Sequence, residues 1–270
     1  MDHNALLKRI DAYLDEAPCS ASTPEQVGPF TLFVQRKPGW PYYARPASGC
    51  TGVTSTDIER VRVRQRQLGV PEAFEWLVDL VPSVGPAAAE SGLEITEHPL
   101  MYLDILVPAR PPEGFEVRIV TDEDDLAMLH AVAEVGFSDA GTAVGSAGVE
   151  EAEEIVSRGT DAGRLSLMHE RLAAGLTVTA AGIDLATGKP VAVAAHQPVE
   201  ATTEIVGVAT LPEFRRRGIG AAVTSALVRD ALERDCRTVF LSADDGEVAH
   251  IYEGMGFRRV GTAGAAKPSS

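Results

Sequence analysis

Three arginines followed by two spaced glycines, Arg215-Arg216-Arg217-Gly218-Ile219-Gly220, form the stretch of this chain best suited to chemistry. Guanidinium groups match phosphate oxygens, and a glycine lets a ligand come close to the backbone because no Cβ intervenes. Ahead of them, Glu204-Ile205-Val206-Gly207-Val208-Ala209-Thr210 is β-branched and apolar and stops before Pro212, the pattern of a buried strand. Behind them, Ile219, Ala222, Val223, Ala226 and Leu227 recur at helical spacing. The loop therefore delivers a helix N-terminus, whose unpaired N–H groups and positive dipole end seat an anion. A polyphosphate ligand is the chemistry this implies.

Two nucleotide readings are weakened by what is missing. No Lys-Ser/Thr pair follows the glycines, as a P-loop requires, and Val223 stands where the dinucleotide fingerprint has its third glycine. The segment instead resembles motif A of the GNAT superfamily of N-acetyltransferases, Q/R-x-x-G-x-G/A. Further on, Tyr252-Glu253-Gly254-Met255-Gly256-Phe257 resembles the motif B ending, Y-E-x-x-G-F. The order of strand, loop, helix, strand, helix and final strand also agrees, and the likeness covers roughly the second half of the chain.

That resemblance implies an α/β (α+β) acyl-CoA N-acyltransferase fold, a mixed and mostly antiparallel sheet flanked by helices. It implies that Arg215, Arg216, Arg217, Gly218, Ile219, Gly220 and Ala221 hold the pyrophosphate of acetyl-CoA, and that Val208, Ala209 and Thr210 pair with its pantetheine arm as an added strand. The amide at Val208 would polarise the thioester carbonyl. Glu204 takes the position of a general base in an E-I-V setting, with an exposed strand-end carboxylate as the bland reading. Tyr252 takes the general-acid position, against the reading that Val248, Ile251, Tyr252 and Met255 are one apolar helix face. His250 points off that face, towards solvent. Asp245 stands where the family often has an Asn that contacts the coenzyme. The implied activity is acetyl transfer from acetyl-CoA to a primary amine of a small molecule or peptide; a non-catalytic acetyl-CoA-binding regulatory protein is the alternative.

The elements that must carry these residues are legible in order. Residues 4 to 16 read as an amphipathic helix ended by Pro18, Phe30 to Val34 as a strand, and Tyr42 to Ala44 as another after a Pro38-Gly39-Trp40-Pro41 turn. Asp57 to Leu68 reads as helix, Phe74 to Leu77 as strand, Pro86 to Ser91 as helix and Leu93 to Leu103 as strand. Pro108 to Gly114 is a linker by composition. Phe115 to Val120 is then a strand, and Thr121-Asp122-Glu123-Asp124 supplies the cap and acidic first turn of the next helix. Residues 136 to 163, rich in Gly, Ala and Glu, are expected to form a mobile segment, which in the GNAT fold overlies the acceptor pocket. A helix over Arg164 to Ala174 and strands over Thr177 to Asp184 and Val191 to Pro198 lead back to Glu204.

An offset of 164 residues (256 minus 92) lays Gly256-Phe257 on Gly92-Leu93 and Phe240 on Trp76. The element order repeats while identities do not: Arg215, Gly218 and Gly220 fall on Thr51, Thr54 and Thr56. The expected organisation is a degenerate GNAT-like domain over 1–107, a linker over 108–114 and a GNAT domain over 115–270, in tandem.

Composition narrows the partners. At 270 residues and 45% apolar content the chain can fill one large core or two smaller ones. A net charge of -15 argues against nucleic acid and anionic membranes as partners. Cys19, Cys50 and Cys236 lack metal or disulfide spacing, so no metal is expected and a reducing, cytoplasmic setting fits. Met1-Asp2-His3-Asn4 does not open like a signal peptide. Oligomeric state is left open.

Overall fold

The computed structural model describes residues 2–36, 42–139 and 141–269; the turn read over Pro38 to Pro41 lies outside them. The chain divides into two compact units. One comprises Met1–Met101, Ser242–Gly246 and Arg259–Ser270, the other Tyr102–Leu241 and Glu247–Arg258. Among the described residues no helix is long and apolar enough to cross a membrane.

In the first unit, α1 (His3–Glu16) buries Leu6, Leu7, Ile10 and Tyr13 on one face. β1 (Ser22–Val27), β2 (Phe30–Gln35) and β3 (Arg45–Pro46) form a small antiparallel sheet. The sequence does not announce β1, in which Ser22 alone is buried. It also reads a strand over Tyr42 to Ala44, where the structure has a single bridge from Ala44 to Phe74 and β3 directly after it. The reason is electrostatic: Arg45 is buried against Asp11 at 2.9 Å and Asp15 at 3.3 Å, which anchors β3 to α1. Then come α2 (Ser55–Leu68), β4 (Phe74–Leu77), α3 (Val84–Glu90) and β5 (Leu93–Leu103). Phe30, Leu32, Ile58, Phe74, Trp76 and Leu93 make the core of this unit.

In the second unit, β6 (Phe115–Ile119) precedes α4 (Leu126–Ser138). The helix cap is Asp125, which accepts from the Met128 N–H at 3.0 Å, and not the preceding acidic residues. Asp124 instead accepts from Arg118 at 2.7 Å and from the Thr121 N–H at 2.8 Å, and the guanidinium holds its carboxyl at about 2. α5 (Val149–Arg158) and α6 (Ala162–Ala173) follow, then β7 (Val178–Asp184), β8 (Lys189–Val199), β9 (Thr202–Thr210), α7 (Ile219–Glu233), β10 (Thr238–Ser242) and α8 (Gly246–Gly254). The strand order is β10-β9-β8-β7-β6, with β9–β10 parallel and the other pairs antiparallel. The segment expected to be mobile contains α5 and is bonded to the loop after β9: Gly145 N–H donates to Pro212 O at 3.1 Å and Glu213 N–H to Ala147 O at 3.0 Å. Its acidic, alanine-rich sequence offers little apolar pattern, since Ala152 is the buried residue of α5.

β11 (Phe257–Pro268) closes the chain, and most of it lies in the first unit, antiparallel to β4 with Gly264 opposite Trp76. A Cβ at Gly264 would stand 2.5 Å from the Trp76 ring, so glycine is required there by packing. The 164-residue offset recurs in the element boundaries. Ser55 and Ile219, Phe74 and Thr238, and Leu93 and Phe257 begin corresponding elements (219 − 55 = 238 − 74 = 257 − 93 = 164).

Candidate active site

β9 carries an irregularity at the point where chemistry was expected. Val193 faces Ala209 and Ala195 faces Val206, so β9 has one residue more than β8 across this interval. Gly207 absorbs it with φ +63°, a bulge conformation that a side chain would strain. On the other edge, β9 pairs with β10 from Thr202 to Glu204 and the ladder ends at Glu204↔Phe240, well before β9 ends at Thr210. The stretch of β9 after Glu204 thus leaves its partner strand, and its backbone groups on that side are available to an extended ligand.

The start of α7 stands beside the same stretch. Gly218 caps it in the left-handed conformation, φ +84°, with no side chain bonded to the first-turn amides and no acidic residue in the first turn. A Cβ at Gly220 would come within 3.3 Å of Thr210 Oγ1 and 3.9 Å of Val208 Cγ1, so the bare glycine keeps helix start and strand end close. Ile219 is buried beneath, while Arg216, Arg217 and Gly218 are exposed. α2 gives the contrast. At the position corresponding to Gly218 it has Thr54, whose hydroxyl accepts from the Asp57 N–H while the Asp57 carboxylate accepts from the Thr54 N–H at 3.1 Å. That helix start is filled by its own carboxylate.

The three arginines divide. The sequence assigns all of them to phosphate, yet Arg215 is buried and donates to four carbonyls: Thr210 at 3.3 Å, Ala143 at 3.2 Å, Gly136 at 2.8 Å and Asp139 at 2.7 Å. With its donors so engaged, Arg215 shapes the loop. Arg217 lies 5.0 Å over the Phe214 ring and donates to Glu213 O at 3.2 Å. Arg216 is exposed at φ +61°.

Tyr252 is buried on α8 with its ring edge-to-face on Phe257, 5.8 Å between centroids. Burial pushes its phenol up to about 12, so it is protonated at neutral pH. The buried face of α8 is Ala249 and Tyr252; Ile251, grouped with that face by spacing, is 41% exposed. His250 is exposed, 3.1 Å from Glu253.

One arrangement had no sequence signal. His196 is fully buried, with Nδ1 2.9 Å from Thr203 Oγ1 and Nε2 2.9 Å from Asp230 Oδ2. Burial outweighs Asp230 and lowers its pKa, so the ring is neutral: Nε2–H donates to the carboxylate and Nδ1 accepts from the hydroxyl. It fastens α7 to β8 and β9 next to Glu204. Its partners sit 7 and 34 residues away in sequence, at no recognisable spacing.

These features belong to one class of fold. Residues 149–257 match the sequence model of the acetyltransferase (GNAT) family. The chain superposes on a GCN5-related N-acetyltransferase from Kribbella flavida with a TM-score of 0.71 at 19% identity, covering 98% of this chain and 96% of that one. A putative GNAT-family acetyltransferase from Novosphingobium aromaticivorans gives 0.52 at 15% identity, covering 93% of both chains. A tandem GNAT protein from the clavulanic acid biosynthesis pathway gives 0.51 at 14%, covering 89% of this chain and 79% of that one. No curated protein matches the sequence. The chain has the fold of the GCN5-related N-acetyltransferases, and its residues 149–257 carry the family's sequence pattern.

Proposed function

We propose that the chain transfers an acetyl group from acetyl-CoA to a primary amine of a small molecule or peptide. The observation that carries this reading is the parting of β9 from β10 beside the glycine-lined start of α7, whose cap bonds no side chain to the first-turn amides. An open strand edge suits the amide-bearing pantetheine arm, and free helix amides with Arg216 and Arg217 suit the pyrophosphate. Gly218, Ile219, Gly220 and Ala221 provide the close backbone approach. Bound acetyl-CoA would supply a thioester with an electrophilic acyl carbon.

The chain's own groups then have distinct tasks. Glu204, half-buried where the ladder ends, takes a proton from the incoming ammonium so that the amine is neutral. The N–H of Val208, just after the bulge, stabilises the developing oxyanion, with Ala209 and Thr210 continuing the strand-like contact. Tyr252, held protonated by burial, gives its proton to the leaving thiolate.

Gly220→Asp tests the coenzyme site. Its side chain would press on Thr210 and bring negative charge to the helix start. Calorimetry is expected to show loss of acetyl-CoA binding in a variant that still melts cooperatively. Unchanged affinity in that folded variant would remove the helix start from the account.

A further inference from the structure

A cleft of about 340 Å³ lies among α4, α5 and α6, lined by His130, Glu134, Arg158, Thr160, Asp161 and Arg164. Two buried polar atoms in it, His130 Nδ1 and Thr160 Oγ1, have no hydrogen-bond partner. The His130 ring is read from its other nitrogen. Arg164 Nη1 lies 3.2 Å from Nε2, and a guanidinium can only donate, so Nε2 is the acceptor. Burial and Arg164 both lower the imidazole pKa, so the ring is neutral and its hydrogen is on Nδ1. Glu134 Oε2, at 3.7 Å, is too far to accept it.

The cleft therefore presents a ring N–H, a rotatable hydroxyl and two guanidinium groups with an acceptor missing. The nearby carboxylates leave that gap. Asp161 is committed to the Arg164 N–H at 2.7 Å, where it caps α6. Arg158 is paired with Glu154 at 3.0 Å, but both side chains are largely exposed, a pairing readily exchanged. A buried donor without a partner is destabilising, and a ligand oxygen relieves it. The group with two oxygens for this set is a carboxylate. Glu134 disfavours a doubly charged phosphate here and suits a molecule that also carries an amine.

The cleft and the strand assigned above to the coenzyme both lie against α4. His130 precedes Gly136 by six residues (136 − 130) on α4, about 9 Å along the helix axis. At Gly136 the helix touches Ala209 and Thr210. The six residues also place the two about 120° apart around the helix, so an acceptor held beside His130 reaches β9 across α4 as well as along it.

We propose that this cleft binds the carboxylate of the acyl acceptor, which makes the acceptor an amine that also carries a carboxylate, either a free amino acid or a peptide C-terminus. The acceptor half of this statement rests on the acetyl-transfer reading; the carboxylate site does not.

The test is calorimetry on the full chain with glycine, lysine and glutamate, each as free acid and as primary amide, and with a lysine-ended tripeptide in both forms. At least one acid is expected to bind about tenfold more tightly than its amide, the scale of a charge-assisted contact. Tighter binding of the free amino acids assigns the cleft to them, and tighter binding of the tripeptide acid assigns it to a peptide end. Arg158→Gln and Thr160→Val should each abolish the acid preference. Arg158 is 73% exposed in its side chain, so its replacement leaves the fold intact. Thr160→Val removes an unpartnered hydroxyl and should melt no lower than the parent. Equal binding of acids and amides, or no binding of either, overturns the proposal. So does acetyl transfer at equal rates to an amine with and without its carboxylate. Acid-selective binding in a chain that transfers nothing would keep the cleft and remove the acetyl-transfer reading.

Discussion

Arg215 Nη2 donates to the Gly136 carbonyl at 2.8 Å, fastening the loop ahead of α7 to the last turn of α4. Three further carbonyls share the same guanidinium, so the residue at the head of the arginine run is a buried tie whose neighbours remain in solvent. Removing it would take one donor from each of four carbonyls.

Arg215→Ala is therefore expected to cost about 3 kcal/mol of stability, the upper scale for leaving buried acceptors unsatisfied. Arg216→Ala should leave the melting curve unchanged and weaken coenzyme binding, with the loss shrinking as salt rises. Thermal melts and acetyl-CoA titrations of the two variants check this. A stable Arg215→Ala with normal melting would mean that the four carbonyls find water instead.

Tyr252→Phe is expected to retain acetyl-CoA affinity while turnover falls about 10²-fold, the usual scale for a proton-transfer group. The raised phenol pKa gives a second, independent readout. The folded value is about 12 and the unfolded one about 10, so the folded chain holds its proton longer. Stability from this source is complete below pH 10 and is lost as pH rises towards 12, by about 3 kcal/mol at full titration. Urea midpoints of the parent and of Tyr252→Phe, compared from pH 9 to pH 11.5, should show the parent falling more steeply. Parallel curves would mean that the phenol reaches water.

The first unit is expected to bind no coenzyme, because the Thr54–Asp57 capping box fills the start of α2 where α7 has bare glycine. Titration should give one acetyl-CoA per chain. Deleting residues 1–107 should give an aggregating fragment, since it strips β4 and the Trp76 ring from β11 and exposes Ala263 and Ala266. Two coenzyme molecules per chain, or a soluble and fully active 108–270 fragment, would contradict this.

Much of the second unit was legible because local signals agree there. The run Glu204 to Thr210, the arginines and the spaced glycines each mark one element, and the strand, loop and helix follow in that order. The bulge was not legible: Gly207 sits in an otherwise unbroken apolar run, and an extra residue shows only against the register of β8. The ties of Arg215 were not legible for a related reason, since three of its four acceptors are carbonyls at Gly136, Asp139 and Ala143, 72 to 79 residues away. β1 and α5 were missed because each buries a single residue, which leaves no period to read.

Acyl transfer is measured directly as free thiol released from acetyl-CoA with and without amines. The panel should span simple amines, amino acids and short peptides, with the parent chain beside Glu204→Gln and Tyr252→Phe. The parent is expected to release thiol in an acceptor-dependent way at neutral pH, matched by acetylated amine, and both variants much more slowly. Tight binding of acetyl-CoA with no acceptor-dependent release across the panel would contradict it, and would leave a protein that holds the coenzyme without turning it over.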